Sequence, residues 1–480
     1  MRGSRRLWDF DLVVIGAGAA GLSTTYVAAQ LGLRVALIER GRMGGECLNV
    51  GCVPSKALLA AAHTAHAVRN ASRYGVQASS PAIDWPSIQA HVHGAIAALE
   101  PADSVERYEG LGATVLQGTA RFVARDALAV ETGRETQRIT ARRIVIATGS
   151  RPVVPDLPGL DRVPFLTNDS LFDLKDAPEH LLILGGGPIG LEMAQAHARL
   201  GCRVTLVQSG TIGARDDPEL IAGLRSALQA DGVAVIEHAQ ATAVRPGPVL
   251  ELADGRSIAG SHLLVAVGRR PTFERLDLAA GRVAATPRGI DTDTGLRSRT
   301  NRFVYAAGDV ADPHGIGPRY FTHVGSYHAG IIVRRALFRL PARLDYAALP
   351  RVTYTDPELA QTGLTETEAR AAGHAVETLR WPLTDNDRAV AEGDTAGMVK
   401  LVVSGNRVLG AGILAPHAGE MIGMWTLAIT QRIKLSALAG MIVPYPTRSE
   451  AGKRAAGTRF TPRLFAPKPK LAARLLARLP

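Results

Sequence analysis

Two glycine-rich turns, each set between a strand and a helix, constrain this chain more than any other feature. The apolar run FDLVVI (10–15) has the look of a buried strand and enters Gly16-x-Gly18-x-x-Gly21. A helical pattern from Leu22 to Leu31 follows, Gly32 stops it, and RVALIER reads as a second strand ending at Glu39. About 170 residues later LLILGGGPIG (181–190) passes through Gly185-x-Gly187-x-x-Gly190 into a helix over Leu191–Leu200. Gly201 closes that helix and CRVTLVQ follows as a strand. Two such strand–turn–helix–strand units predict two doubly wound, Rossmann-like α/β domains, each able to hold a dinucleotide.

The chemistry of the turns follows from their backbone. Glycine lets the chain approach a pyrophosphate closely, and the helix N-terminus then offers free N–H groups and a positive dipole end. Glu39 ends the second strand of the first unit, where a carboxylate bonds a ribose hydroxyl. The second unit has Gln208 at that place. An amide does not repel a 2′-phosphate, and Arg215 lies a few residues on. NADPH is slightly favoured over NADH, with a solvated surface role for Arg215 as the alternative.

The rest of the chain reads more coarsely. A helical stretch spans roughly 53–110, short strands lead to IVIATGS (144–150), and Pro152, Pro155 and Pro158 suggest a linker. HLLVAVGRRP (262–271) and FVYAAGDV (303–310) are further strands entering turns. From about 346 to 460 the alternating patterns MVKLVV and VLGAGIL suggest a sheet, with a helix after Glu420, hence a third, α+β domain. Beyond 461, Pro462, Pro467 and Pro469 predict an extended tail with a short LAARLLARL end.

A length of 480 residues suits roughly three domains. Lysine and arginine outnumber acids by 55 to 44, a formal charge of +11. No acid follows Glu450, whereas Lys453, Arg454, Arg459, Arg463, Lys468, Lys470, Arg474 and Arg478 do, so much of the excess belongs to the tail and points to no nucleic-acid partner. Three cysteines are too few for a secreted disulfide scaffold. No apolar run is long enough to span a membrane. Arg2, Arg5 and Arg6 precede an apolar stretch as in a signal peptide, but Asp9 and Asp11 interrupt it. A cytoplasmic protein is expected.

The most informative segment is GGECLNVGCVPSK (44–56). In a regular helix, residues five apart are rotated by about 140° and separated by about 7.5 Å along the axis. A disulfide needs Cα atoms within about 7 Å. If Cys47 and Cys52 bond, the helix must be distorted between them, and Asn49 and Gly51 suit that. A pair of buried free cysteines is the plainer alternative, but packing hardly explains a cysteine pair flanked by glycines beside a dinucleotide turn. Cys202, opening a strand after Gly201, reads as a core residue.

This segment resembles the active-site signature of the class I pyridine nucleotide–disulfide oxidoreductases, which include glutathione reductase, dihydrolipoyl dehydrogenase and mercuric reductase. The resemblance runs from about residue 9 to 460, with both glycine turns, ATG (147–149, including Gly149), VGRRP (267–271, including Gly268) and AAGDV (306–310) in the family order. It implies FAD on the first turn with Glu39, Asp309 at the ribityl or phosphate side of the flavin, and NAD(P)H on the second turn. It implies that Cys52 faces the flavin as the charge-transfer thiolate and that Cys47 meets the acceptor. Lys56 and Glu192 resemble the ion pair near the reactive flavin nitrogen. A thiolate beside a cation has a chemical reason for a lowered pKa. The implied division is an FAD domain (1–150 and 286–345), an NAD(P) domain (151–285), an interface domain (346–462) that forms a homodimer, and a basic tail (463–480).

One motif departs from the disulfide reductases. Their His-Pro-Thr-x-Ser-Glu motif supplies an acid/base histidine to the partner subunit, whereas this chain has Tyr445-Pro446-Thr447-Arg448-Ser449-Glu450. Histidine titrates near about 6.5 and tyrosine near about 10, so a phenol is a poor general base at neutral pH. Mercuric reductases also carry Pro-Tyr there. VTYTDPELAQTGLTE (352–366), DRAVAEGDTAGMVKLV (387–402) and APHAGEMI (415–422) look like their interface domain. Soft thiolates suit soft metal ions. Mercuric reductases also use an additional C-terminal cysteine pair, which the stretch ending LARLP does not carry, and no metal-binding module is read ahead of the first strand. No resident metal site is expected.

The expectation is therefore a mercuric reductase-like flavoenzyme passing electrons to a thiol/disulfide or soft-metal acceptor. Dihydrolipoyl dehydrogenase is the alternative enzyme, and a redox-inactive nucleotide-binding or membrane-associated scaffold the alternative class. In the tail, Leu471, Leu475, Leu476 and Leu479 share one side of a helical wheel with Arg474 and Arg478 beside them. Peripheral membrane contact is conceivable from that pattern, and a solvated tail or one packed on the dimer is favoured.

Overall fold

Apolar β-branched runs flanked by glycine turns set the architecture. The computed structural model describes residues 8–479, so Arg2, Arg5 and Arg6 lie outside the described residues. Leu12–Ile15 is buried along its whole length and sits at the centre of a five-stranded parallel sheet. The order is Val304–Ala306, Ile144–Ile146, Leu12–Ile15, Val35–Glu39, Thr114–Gln117. Both faces of such a sheet are covered, which is why these strands read as continuous apolar runs rather than alternating ones.

The second unit repeats the design. Ala234–Ile236, Arg203–Val207, His180–Leu184 and His262–Val265 form a four-stranded parallel sheet. In both units the helix begins before the expected residue, at Ala19 and Pro188, because Gly18 and Gly187 are extended N-caps and the third glycine already lies within the first turn. The left-handed Gly32 and Gly201 follow the ends of these helices.

The third unit is an antiparallel sheet in the order Arg351–Thr353, Glu358–Gly363, Arg407–Ala415, Met398–Ser404, Glu377–Pro382. The helix Ala418–Thr430 packs on it and buries Trp425. The whole is α/β with an α+β third unit, as the glycine turns and the alternating patterns predict.

Three sequence expectations need correction. The stretch 53–110 is not one helical region but the helices Cys52–Arg69, Trp85–Leu99 and Val105–Gly110 with loops between. The proline linker is structured: Ser150–Pro152 pairs antiparallel with Arg269–Pro271, so the chain enters and leaves the second sheet through one ribbon. Proline is tolerated in so short a strand because it needs to donate few ladder bonds. The tail is helical rather than extended, over Thr461–Leu464 and Pro467–Leu476. Pro462, Pro467 and Pro469 all fall in first turns, where a helix needs no N–H donor. No residue of the Pro467–Leu476 helix is buried.

Candidate active site

The cysteine segment is broken where its spacing requires. Gly45–Asn49 and Cys52–Arg69 are separate helices, with Val50 and Gly51 between them. A Cβ on Gly51 would lie 2.8 Å from the Glu46 carbonyl oxygen, so only glycine lets the two helices meet this closely. Asn49 fastens the first helix by donating from Nδ2 to the carbonyls of Met43 (2.9 Å) and Gly45 (2.8 Å). Both cysteines are thiols here, Cys47 half-buried and Cys52 exposed, and both line a continuous cavity of about 1870 Å³.

Electrostatics separate the two sulfurs. A hydrogen bond from Cys47 is the largest influence on Cys52, whose pKa is pushed down to about 6. Burial opposes that shift, while Thr322 and the Lys56 charge add to it. The same hydrogen bond and burial push the Cys47 thiol up. Cys47 therefore keeps its proton and Cys52 holds the charge. Thr322 Oγ1, the first residue of the helix Thr322–Ile332, stands 3.4 Å from Cys52 Sγ.

One helical turn past Cys52, Lys56 Nζ donates to Glu192 Oε2 at 2.8 Å. Glu192 is buried on the helix that starts from the second glycine turn, and its other oxygen accepts the Tyr354 backbone N–H at 3.0 Å. The ammonium also sits 4.2 Å from the centre of the Tyr354 ring. The expected Lys56–Glu192 pair is thus assembled from two units, and the third braces it.

The two glycine turns open on the same cavity as the cysteines. In the first, Glu39 accepts the backbone N–H of Ala17 (2.6 Å) and of Gly41 (2.7 Å). In the second, Gln208 Oε1 accepts the N–H of Gly186 at 2.8 Å, so amide and carboxylate occupy matching places. Gly149, left-handed at φ +66°, and Gly187 have nothing within 4 Å of where a Cβ would point. Gly268 also lines the cavity. Gly16, Gly21, Gly185 and Gly190 instead pack backbone on backbone, a Cβ at Gly21 falling 1.8 Å from the Gly16 carbonyl oxygen. Arg215 is exposed on the cavity wall, and its carbonyl accepts from Arg351.

Asp309 lies at the far side of the first turn. Ser150 Oγ donates to its Oδ2 at 2.5 Å, Arg269 Nε is 4.0 Å away, and burial raises its pKa. Arg269 also donates to Ser150 Oγ (2.8 Å) and Asn168 Oδ1 (3.3 Å), and it pairs with Glu46 beside Cys47. One guanidinium therefore ties the ribbon, the cysteine segment and the Asp309 turn together.

Tyr445 and Glu450 do not join this cavity within the chain. Tyr445 is 69% exposed and donates to Asp387 Oδ2 at 2.8 Å, which holds the phenol above its ordinary pKa. Glu450 pairs with Arg454 at 2.8 Å on its own helix. Cys202 is buried, with its thiol pushed up to about 11 by burial, as a core residue should be. Sequence reasoning missed Thr322, Tyr354 and the part played by Arg269. VGRRP carried a signal for Arg269, and Tyr354 lies in the recognised segment VTYTDPELAQTGLTE without its role being read there, whereas Thr322 belongs to no recognisable motif.

With this geometry in place, comparison with known proteins is specific. Residues 10–331 match the pyridine nucleotide-disulphide oxidoreductase family, and residues 349–456 match the dimerisation domain of the same family. A mercuric reductase of Streptomyces lividans is 39% identical over 94% of this chain and 96% of its own length. A dihydrolipoyl dehydrogenase of Geobacillus stearothermophilus is 33% identical over 93% and 96% respectively. In solved structures, the Cu(II) complex of the HOCl-induced flavoprotein disulfide reductase RclA from Escherichia coli superposes with a TM-score of 0.83, at 26% identity over 94% of this chain and 99% of that one. Paired glycine turns, a split cysteine helix and a dimerisation sheet in this order lead to one conclusion: the chain belongs to the pyridine nucleotide-disulphide oxidoreductases, FAD-dependent enzymes that draw electrons from NAD(P)H.

Proposed function

We propose that this enzyme uses NADPH to open a Cys47–Cys52 disulfide and passes the electron pair to a soft-metal ion or a disulfide, in the manner of a mercuric reductase. The observation that carries this reading is the cysteine pair itself, set across a helix break in the cavity wall shared by both glycine turns.

The residues fit the cofactors. The open backbone at Gly18 and Gly149, Glu39 and Asp309 would hold FAD, and Gly187, Gly268, Gln208 and Arg215 would hold the nicotinamide dinucleotide. Bound there, the flavin relays hydride equivalents from the nicotinamide to sulfur. Cleaving the S–S bond with two electrons and one proton leaves a Cys47 thiol and a Cys52 thiolate. Lys56 offsets the thiolate charge, Glu192 and Tyr354 orient Lys56, and Thr322 donates to sulfur. Cys47 then passes its proton to Cys52 across their hydrogen bond and, as the thiolate, attacks a disulfide and expels one half as a thiolate, or, with both protons lost, the pair grips a soft cation.

Two copies would assemble through the dimerisation domain, bringing Tyr445 and Glu450 towards Cys47 of the partner subunit. A phenol cannot act there as histidine would, which disfavours dithiol oxidation despite the dihydrolipoyl dehydrogenase relative. The proposed domain division is 1–150 with 286–345, 151–285, 346–462 and a tail from 463, and the proposed compartment is the cytoplasm. The tail helix has no part in this chemistry.

The test is steady-state NADPH and NADH oxidation by the FAD-loaded enzyme with Hg(II) in excess thiol, and with dihydrolipoamide in the reverse direction. Hg(II)-stimulated NADPH oxidation and little dihydrolipoamide turnover are expected, with some turnover gained in Tyr445→His. Robust wild-type dihydrolipoamide oxidation would overturn the assignment in favour of the dehydrogenase reading.

A further inference from the structure

The edge of the first parallel sheet opposite the glycine turns carries a second crevice, of about 450 Å³, walled by Arg143, Arg297, Arg335, Arg339 and Tyr305. None of these residues lines the dinucleotide cavity. Arg143 immediately precedes the strand Ile144–Ile146, whereas Gly149 and the cofactor turns lie past the strand ends. Arg297 bridges Tyr305 on the neighbouring strand. Arg335 belongs to the π-helical turn Val333–Leu337 that continues the helix Thr322–Ile332. Arg339 follows in a left-handed conformation at φ +55°, which an arginine adopts only when its surroundings impose it.

The charges here do not balance. Asp293 is the one carboxylate paired in the group, 2.7 Å from Arg335 Nη1 and 3.9 Å from Arg297 Nε. The same carboxylate also accepts the backbone N–H groups of Gly295 (2.8 Å) and Arg297 (3.1 Å). Among the described residues no acid pairs with Arg143 or Arg339, and Arg143 Nε is buried without a hydrogen-bond partner. Burial, opposed by Tyr305 and joined by Arg142 and Arg339, holds Arg143 below the ordinary guanidinium range. Gathering four guanidinium groups around one acid costs repulsion that a bound anion would offset.

We propose that this crevice binds a small phosphate-bearing anion. A carboxylate has two oxygens, and those of Asp293 already take Arg335, Arg297 and two backbone N–H groups, which leaves it nothing to offer Arg143 or Arg339. A phosphate presents three terminal oxygens and several negative charges, so it accepts from several guanidinium groups at once. Arg143, just ahead of a strand, Arg335, in a π turn, and Arg339, in a loop, line the crevice from three separate elements, with Arg143 Nη1 anchored on the Arg142 carbonyl at 2.7 Å. The site and the redox cysteines sit at opposite ends of one helical rod, since Thr322 begins the helix that the Arg335 turn ends.

Calorimetric titration of the FAD-loaded full-length protein with inorganic pyrophosphate, at fixed ionic strength, tests this. Saturable binding is expected, weaker by about tenfold or more in Arg143→Gln and in Arg339→Gln, because each removes a charge-assisted donor. Sulfate and citrate should bind far more weakly. ADP run alongside tells nucleotide-borne from inorganic phosphate. The flavin spectrum and the KM for NADPH should be unchanged in both variants, which reports that they fold. Equal affinity in wild type and variants, no saturable binding, displacement of pyrophosphate by NADPH, or tighter citrate than pyrophosphate binding would each overturn the proposal.

Discussion

Lys56 and Glu192 act on Cys52 in opposite directions. The ammonium favours the thiolate and the carboxylate opposes it, with the Cys47 hydrogen bond setting the larger shift. Since the Cys52 pKa is lowered to about 6, its thiolate persists above that pH and is lost as pH falls through it. The long-wavelength band of the two-electron-reduced holoenzyme should fade with that midpoint. Lys56→Gln should raise the midpoint and Glu192→Gln should lower it. Shifts of the same sign in both variants would remove the electrostatic account. Cys47, Cys52, Lys56 and Glu192 are legible in the sequence because they sit in compact motifs. Thr322 and Tyr354 are not, because they reach the site across 270 and 162 residues through helix and sheet packing that no local pattern encodes.

At the level of elements, the glycine turns were readable almost completely, because strand, turn and helix are contiguous and their glycines have steric reasons. A Cβ on Gly190 would fall 2.0 Å from the Gly185 carbonyl oxygen, which a helix start cannot absorb without moving. Gly190→Ala should cost about 1–3 kcal/mol of local strain, as overpacking usually does. The protein should stay yellow and accept electrons from dithionite, while its reduction by NADPH falls sharply in stopped flow. Unchanged NADPH reduction would mean that this turn does not seat the nicotinamide dinucleotide. The tail and the ribbon were misread for a common reason. Proline marks a break in a pattern but does not say whether it ends an element or begins one. Pro467 begins a helix and Pro152 ends a strand.

Across the whole molecule, charge clusters fasten the units to one another. Lys400 of the dimerisation sheet is buried among Asp217 (2.8 Å), Glu219 (2.9 Å) and Glu366 (3.2 Å), the first two from the start of a helix in the second nucleotide unit. Arg199 likewise joins Asp231 (2.9 Å) to Asp356 (2.7 Å). Removing one partner from such a buried group leaves like charges facing each other. Lys400→Met should therefore lower the unfolding free energy by about 3–5 kcal/mol, read from urea denaturation of the holoenzyme. A loss within about 0.5 kcal/mol, the range of an ordinary surface change, would show that the cluster does not hold the units together. None of these long-range pairs was visible in the sequence, because a buried lysine and a surface lysine look alike until the sheet is folded.

The two cradles differ most simply at Glu39 and Gln208, where one backbone amide is held in one case by an acidic side chain and in the other by its amide counterpart. Swapping a single oxygen for a nitrogen gives the molecule a ward against misfiling. On the NADPH reading proposed above, a coenzyme tagged with an extra phosphoryl group would be repelled at the front berth and tolerated at the rear, so the two near-identical slots would not trade occupants.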